Sequence, residues 1–150
     1  MEPLTLDSRL ENDCLILGYL DESLVLLMNN SQIPWLILVP DTSSAASADE
    51  FDLLSREQQI ILLDQINLLS AFLRKYFQFD KLNIATIGNV VRQLHIHIVA
   101  RSVNDYCWPG IVWGQDNQSQ WTAGEVDNIR QQLATYLPGK FKKCNNARNR

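Results

Sequence analysis

The chain has 150 residues, of which 46% are hydrophobic and 20% are charged, a balance typical of one globular domain with a buried core. Its net charge of −4 at pH 7 argues against broad electrostatic binding to nucleic acid, which requires clustered Lys and Arg side chains. No apolar run approaches the roughly 18 residues that a membrane-spanning helix needs, and so we expect no membrane segment.

The cysteines and the start of the chain indicate the compartment. Cys14, Cys107 and Cys144 are odd in number, widely spaced and without a CxxC pattern, which favours a reducing environment over a disulfide framework. The first residues, MEPLTLDSRLEND, are polar and acidic, unlike a secretion signal. We therefore expect a cytoplasmic protein.

The first half of the chain predicts one short helix, three strands and a loop. Asp7 is a good N-cap for the polar residues that follow it, and two apolar runs around the turn Asp21-Glu22-Ser23 predict an antiparallel hairpin. A third apolar run lies between two prolines, which suit strand ends. The predicted elements are a helix over 7–13, strands over 14–20, 24–30 and 34–40, and a Ser- and Ala-rich loop over 41–50.

The second half predicts a long helix, two strands and a final helix. Ser55 with Gln58, and Thr122 with Glu125, have the spacing of capping boxes that begin helices. After Ser55 the apolar residues recur at steps of three and four, which is the period of one buried helical face. The predicted elements are a helix over 55–77, strands over 82–87 and 92–101, and a helix over 122–137.

The order of these elements predicts the fold class. Strands and helices do not alternate, and so we expect an α+β fold: an antiparallel sheet of about five strands with one long helix and a C-terminal helix. Residues 1–138 are predicted to form a single domain, and residues 139–150 a basic, flexible tail.

Both histidines of the chain lie in the segment VVRQLHIHIVAR, residues 90–101. Residues two apart in a strand face the same side, so Gln93, His95 and His97 are predicted to share one face. The opposite face is wholly apolar and is expected to pack on the core. This spacing lets both imidazoles reach one ligand.

Three interpretations of the histidine pair remain open from the residues alone. The pair is a polar face of a half-exposed strand, since antiparallel sheets often keep one wet face. It is part of a zinc site, although no Cys, Asp or Glu stands nearby at a helpful spacing. Or it is a catalytic pair, because a neutral imidazole is available at pH 7 and can attack phosphorus.

The segment QLHIHIVAR resembles the motif of the histidine triad (HIT) family of nucleotide hydrolases and transferases, in which three histidines alternate with apolar residues. The match covers residues 94–99, and Gln93 stands at the position of the first histidine. The segment GNVV at 88–91 resembles the family's glycine-containing phosphate loop, and WPG at 108–110 resembles the ending of some members. The order of strands and helices is also the family's, and bacterial dinucleoside polyphosphate hydrolase-like members are the most similar.

The resemblance implies a homodimeric hydrolase or transferase that needs no metal and no cofactor. His95 takes the place of the histidine that attacks the α-phosphorus, and a backbone carbonyl orients its other ring nitrogen. His97 would contact the phosphate oxygens or the leaving group and, when protonated, stabilise developing charge. Gln93 offers a donor and an acceptor but cannot relay a proton. The implied substrates are dinucleoside polyphosphates, such as diadenosine polyphosphates, and adenosine phosphoramidate.

The resemblance also implies a loop whose backbone N–H groups bind phosphate oxygens. A two-residue hairpin turn in this loop would pair Ile84 with Gln93 and leave Asn83 on the apolar face. A wider loop would bring Asn83 or Asn89 to the phosphate, and we favour Asn89 because it lies on the loop itself. The predicted phosphate-binding residues are Gly88, Asn89, Val90, Val91 and Asn83.

The remaining expected site residues lie farther along the chain. Asn29 and Asn30 occupy the region that binds the ribose hydroxyls in the family. Trp108 and Trp113 are expected to line the cleft or a dimer interface, and Arg101 is either a phosphate partner or a surface arginine.

Two other functions stay open beside the hydrolase. Gln93 interrupts the triad, so a nucleotide-binding protein with little or no turnover is the first alternative. A partner-binding domain without catalysis is the second.

Overall fold

The computed structural model describes residues 4–42, 49–116 and 119–145. Most of the predicted Ser- and Ala-rich loop and the end of the predicted tail lie outside these ranges. The elements are α1 (Ser8–Asp13), β1 (Cys14–Leu20), β2 (Ser23–Met28), β3 (Trp35–Val39), a 3-10 turn (Phe51–Leu53), α2 (Arg56–Tyr76), β4 (Lys81–Ala85), β5 (Ile96–Arg101), α3 (Ala123–Tyr136) and β6 (Phe141–Lys143).

The helices begin where the capping residues predict. The Ser55 hydroxyl accepts a hydrogen bond from the Gln58 N–H, and the Gln58 amide oxygen accepts one from the Ser55 N–H. Thr122 and Glu125 make the same reciprocal pair at α3. Each box satisfies backbone donors that a helix N-terminus leaves without partners. None of the helices within the described ranges has the length and hydrophobicity to span a membrane.

The strands form one antiparallel sheet in the order β4-β5-β3-β2-β1-β6, which confirms the predicted α+β class. The apolar face of the histidine segment packs as predicted, in one cluster with α2 and α3. A second cluster covers the opposite face and includes Leu10 of α1, Trp35 of β3 and Val112. Because of this second layer, His95 and His97 are only 4% and 5% exposed. The histidine face is therefore not a wet sheet surface.

The register between β4 and β5 decides which face carries Asn83. Ile84 pairs with Ile98 rather than with Gln93, a shift of five residues. A shift by an odd number of residues turns each β4 side chain to the other face of the sheet. Asn83, which pairs with Val99, therefore lies on the same face as His97. The two-residue turn is therefore wrong, and residues 86–95 form the wider connection.

Part of the predicted tail is ordered, which corrects the expectation of flexibility for residues 141–143. These residues form β6, which pairs with β1 in antiparallel fashion, and Phe141 is buried. The close approach requires Gly18 in β1, because a Cβ there would lie 2.2 Å from the Lys142 carbonyl oxygen. The sheet therefore has six strands instead of about five.

Candidate active site

His95 is held by the main chain of its own segment. Its Nδ1 lies 2.7 Å from the Gln93 carbonyl oxygen. A carbonyl oxygen only accepts hydrogen bonds, so His95 Nδ1 carries the proton and donates it. In the neutral ring this leaves the lone pair on Nε2, which is the nitrogen that can attack an electrophile.

His97 has the opposite proton arrangement. The indole Nε1–H of Trp35 donates to His97 Nδ1 at 2.9 Å, so the proton of the neutral ring lies on Nε2. Burial, and secondly the charge of the neighbouring His95, lower the pKa of His97 to about 4. His97 is thus neutral at pH 7, where it offers an Nε2–H donor without the positive charge of the protonated ring.

The two imidazoles lie side by side with complementary chemistry. Their ring centroids are 4.9 Å apart, at an interplanar angle of 70°. Trp113 packs edge-on against His97 at 5.3 Å, and Trp35 lies 5.7 Å from it. The site therefore presents a lone pair from one ring and an N–H donor from the other, inside an aromatic enclosure.

Gln93 acts through its main chain and its side chain in different ways. Its carbonyl orients His95, whereas its side-chain amide oxygen accepts from the Asp7 N–H and its amide N–H donates to the Thr5 carbonyl, both at 2.8 Å. The amide thus fixes the N-terminal segment beside the histidines. The charge of His95 contributes to lowering the pKa of Asp7, after the larger effect of the Arg9 hydrogen bonds.

A cavity of about 370 Å³ opens beside His97, within the size range of small-ligand sites. His97 forms part of its wall and His95 does not. Asn29 and Asn30 line it as well, and both have protein partners. Asn29 Oδ1 accepts from the Trp121 N–H, and Asn30 bonds to Tyr106 and the Gln32 N–H.

Arg101 is a buried residue that organises the segment after β5. It is 1% exposed, so the expectation of a plain surface arginine is wrong. Its Nε and Nη2 donate to the Asp105 carboxylate, its Nη2 also to the Gly110 carbonyl, and its Nη1 to Asn83 Oδ1. All three guanidinium nitrogens are thus engaged within the protein, and Trp108 stacks 5.6 Å away. The Asn83 oxygen is occupied by the same contact.

The predicted phosphate loop is exposed from Gly88 to Val90, whereas Val91 packs against the second cluster. No backbone N–H from Gly88 to Val91 donates to another described residue. These donors are available to an anion. Gly88 has no steric need to be glycine, because a Cβ would meet the Val91 carbonyl oxygen only at 3.6 Å.

The sequence did not indicate that Trp35 bonds to His97 or that the indole N–H of Trp113 is buried. Trp35 reaches His97 only because β3 pairs with β5, and no local pattern reveals that pairing. Among the described side chains, the Trp113 Nε1–H is the buried polar group without a hydrogen-bond partner. A zinc ion bound by both histidines would need a third ligand. Within the ranges that the structure describes, no three His, Cys, Asp or Glu side chains cluster to provide one.

The fold and the site together define an α+β protein in which interior strand β5, together with the residue that directly precedes it, presents two buried imidazoles of opposite proton arrangement. The HIT domain model matches residues 9–104, and the chain belongs to this family. The resemblance noted in the sequence is thereby confirmed.

Solved histidine triad proteins from bacteria share the whole fold. The one from Sinorhizobium meliloti is 38% identical with a TM-score of 0.81, covering 89% of this chain and 96% of that one. The one from Bradyrhizobium japonicum is 38% identical with a TM-score of 0.82, covering 91% and 99%. The one from Marinobacter aquaeolei is 36% identical with a TM-score of 0.82, covering 93% and 99%. No curated protein matches the sequence at a significant level.

Proposed function

We propose that this protein is a nucleotide hydrolase or transferase that cleaves a phosphoanhydride or phosphoramidate bond at the α-phosphate through a nucleotidyl-His95 intermediate. The observation that carries the proposal is the 2.7 Å hydrogen bond from His95 Nδ1 to the Gln93 carbonyl. It fixes the tautomer whose Nε2 lone pair is nucleophilic, and it stabilises the positive charge that the ring gains when Nε2 bonds to phosphorus.

The proposed reaction has two displacements. His95 Nε2 bonds to the α-phosphorus while the bond to the leaving group breaks and its electron pair goes to the leaving atom. His97 donates its Nε2–H to a phosphate oxygen, and the N–H groups of residues 88–91 bind the others. Water then attacks phosphorus, His95 leaves with its electron pair, and the proton of the water passes to solvent.

The cavity beside His97 supports binding of the nucleoside. Amide side chains and the Trp113 indole line it, and the Trp113 Nε1–H has no partner among the described residues. Asn29 and Asn30 are the proposed contacts of the ribose hydroxyls. A nucleoside is of the size and mixed polarity that such a cavity accepts.

The test is release of AMP from a diadenosine polyphosphate and from adenosine phosphoramidate. We expect turnover by the wild type, and a loss of roughly 10³-fold or more in His95→Ala. Intact-mass analysis after rapid quenching should show an AMP adduct in the wild type and none in the variant. Release that persists in His95→Ala would contradict the mechanism, and binding without release would favour the nucleotide-binding alternative.

A second copy of the chain is the proposed partner. β4 lies at one edge of the sheet and carries the half-exposed Ile84, and α2 exposes Ile60, Ile61 and Leu63. An edge strand offers unpaired backbone groups to another chain, and exposed apolar side chains favour association. Analytical ultracentrifugation tests whether the protein is a dimer.

The proposed location is the cytoplasm. Cys14, Cys107 and Cys144 are all unpaired thiols, which suits a reducing compartment.

A further inference from the structure

Two tryptophans enclose His97, but only one of them bonds to it. The Trp35 Nε1–H donates to His97 Nδ1 at 2.9 Å. The Trp113 ring packs 5.3 Å from the same imidazole, and its Nε1–H has no partner in the part of the chain that the structure describes. The two indoles therefore have similar packing on His97 and different hydrogen bonding.

We propose that Trp35 is a positioning residue that keeps His97 neutral with its proton on Nε2, and that the site consequently discriminates against leaving groups that need a proton. The discrimination between leaving groups rests on the proposed function. The role of Trp35 concerns the His97 imidazole alone.

The geometry opposes protonation of His97. A second proton would have to go to Nδ1, where it would point at the Trp35 N–H, so two donors would face each other at 2.9 Å. The Trp35 N–H would then be buried without an acceptor, which is costly. Of the titratable groups around the site, His95 is adjacent, and a positive charge on both rings at once would be repulsive. Asp13 lines the cavity, and Asp105 is engaged by Arg101.

A neutral His97 restricts the leaving group. When a phosphoanhydride breaks, the leaving phosphate takes the electron pair and departs as a stable anion. When a phosphoramidate breaks, the nitrogen must acquire a proton to depart as an amine. His97 can donate a hydrogen bond but cannot release its Nε2 proton near pH 7, and the His95 Nδ1–H points to a carbonyl. Neither ring supplies the proton, so nucleoside polyphosphates fit the site better than phosphoramidates.

The role of Trp35 in setting the state of His97 is tested by ¹⁵N NMR of the wild type, because the chain has only two histidines. Long-range ¹H–¹⁵N spectra, assigned with His95→Ala, should show His97 as the Nε2–H tautomer without titration between pH 5 and 8. Trp35→Phe should raise the pKa of His97 and populate the other tautomer. A wild-type His97 that carries its proton on Nδ1, or that titrates near pH 6.5, would overturn the proposal even if the variant did not fold.

Trp113→Phe is the matched control, because it trims an indole that packs on the same ring without donating to it. We expect the His97 tautomer and pKa to stay as in the wild type. Equal shifts in Trp35→Phe and Trp113→Phe would show that packing, and not the hydrogen bond, sets the state of His97.

The discrimination between leaving groups is tested with two substrates that share the adenylyl group. We expect wild-type kcat/KM to favour diadenosine polyphosphate over adenosine phosphoramidate, and Trp35→Phe to shift this ratio toward the phosphoramidate by about tenfold or more. A parallel loss on both substrates, or a wild-type preference for the phosphoramidate, would contradict the inference. If neither substrate releases AMP, the proposed function fails while the NMR result still decides the role of Trp35.

Discussion

At the scale of single residues, the structure shows a role for Gln93 that the sequence did not indicate. In the sequence it interrupts a histidine pattern, and in the structure its amide completes hydrogen bonds to two backbone groups of the N-terminal segment. A neutral imidazole also has one donor and one acceptor, but they are fixed in a ring and cannot adopt the same two directions. Gln93 is therefore suited to its own surroundings.

We expect that Gln93→His will not increase AMP release. The substitution should lower the free energy of unfolding by about 1–2 kcal/mol, because it leaves the Asp7 N–H or the Thr5 carbonyl without a partner. Urea unfolding and AMP release measure the two effects. Gln78→His is the control, since Gln78 is exposed and bonds to no other described residue, and it should change neither quantity. A gain in kcat for Gln93→His would show that the amide is a handicap.

At the scale of elements, β6 depends on one position of its neighbour. We expect Gly18→Ala to lower the free energy of unfolding by about 2–3 kcal/mol, because the new methyl group would overlap the β6 backbone at Lys142. Urea unfolding gives the size of the loss, and hydrogen exchange at residues 141–143 shows whether β6 separates from β1. Gly124→Ala in α3 is the matched control, as nothing lies within 4 Å of its new methyl group. It should be neutral or stabilising.

If Gly18→Ala unfolds with the same free energy as the wild type and keeps the β6 amides protected, β6 tolerates a wider separation than the structure indicates. The same outcome would show that close packing of residues 141–143 against β1 contributes little to the stability of the protein.

At the scale of the whole molecule, the sequence predicted what depends on neighbours along the chain. Capping boxes at Ser55 and Thr122 are local patterns, and the period of two in β5 identified its core face. The structure was needed wherever distant strands meet. The face of Asn83 depends on the β4–β5 register, and the contact of Trp35 with His97 depends on the pairing of β3 with β5. A loop length or a pairing partner is set by the sum of all packing, which no short window of sequence contains.

The state of His97 should also appear in the stability of the whole protein. Its pKa is near 6.5 in the unfolded chain and about 4 in the folded one, so between these values the unfolded state binds more protons. Stability is therefore full above pH 6.5 and falls as the pH drops toward 4, by a contribution on the order of 3 kcal/mol.

The check is urea unfolding of the wild type and His97→Asn from pH 7 to pH 4. The asparagine does not titrate, and its amide oxygen is placed to accept the Trp35 N–H, so the variant should lose less stability over this range. Carboxylates contribute equally to both proteins, including Asp7 and Asp105, whose pKa values are lowered and whose effects begin toward the acid end. The difference between the two curves thus isolates His97. Parallel curves would mean that His97 gains its proton as readily in the folded protein as in the unfolded chain, which is incompatible with a ring buried against the Trp35 donor.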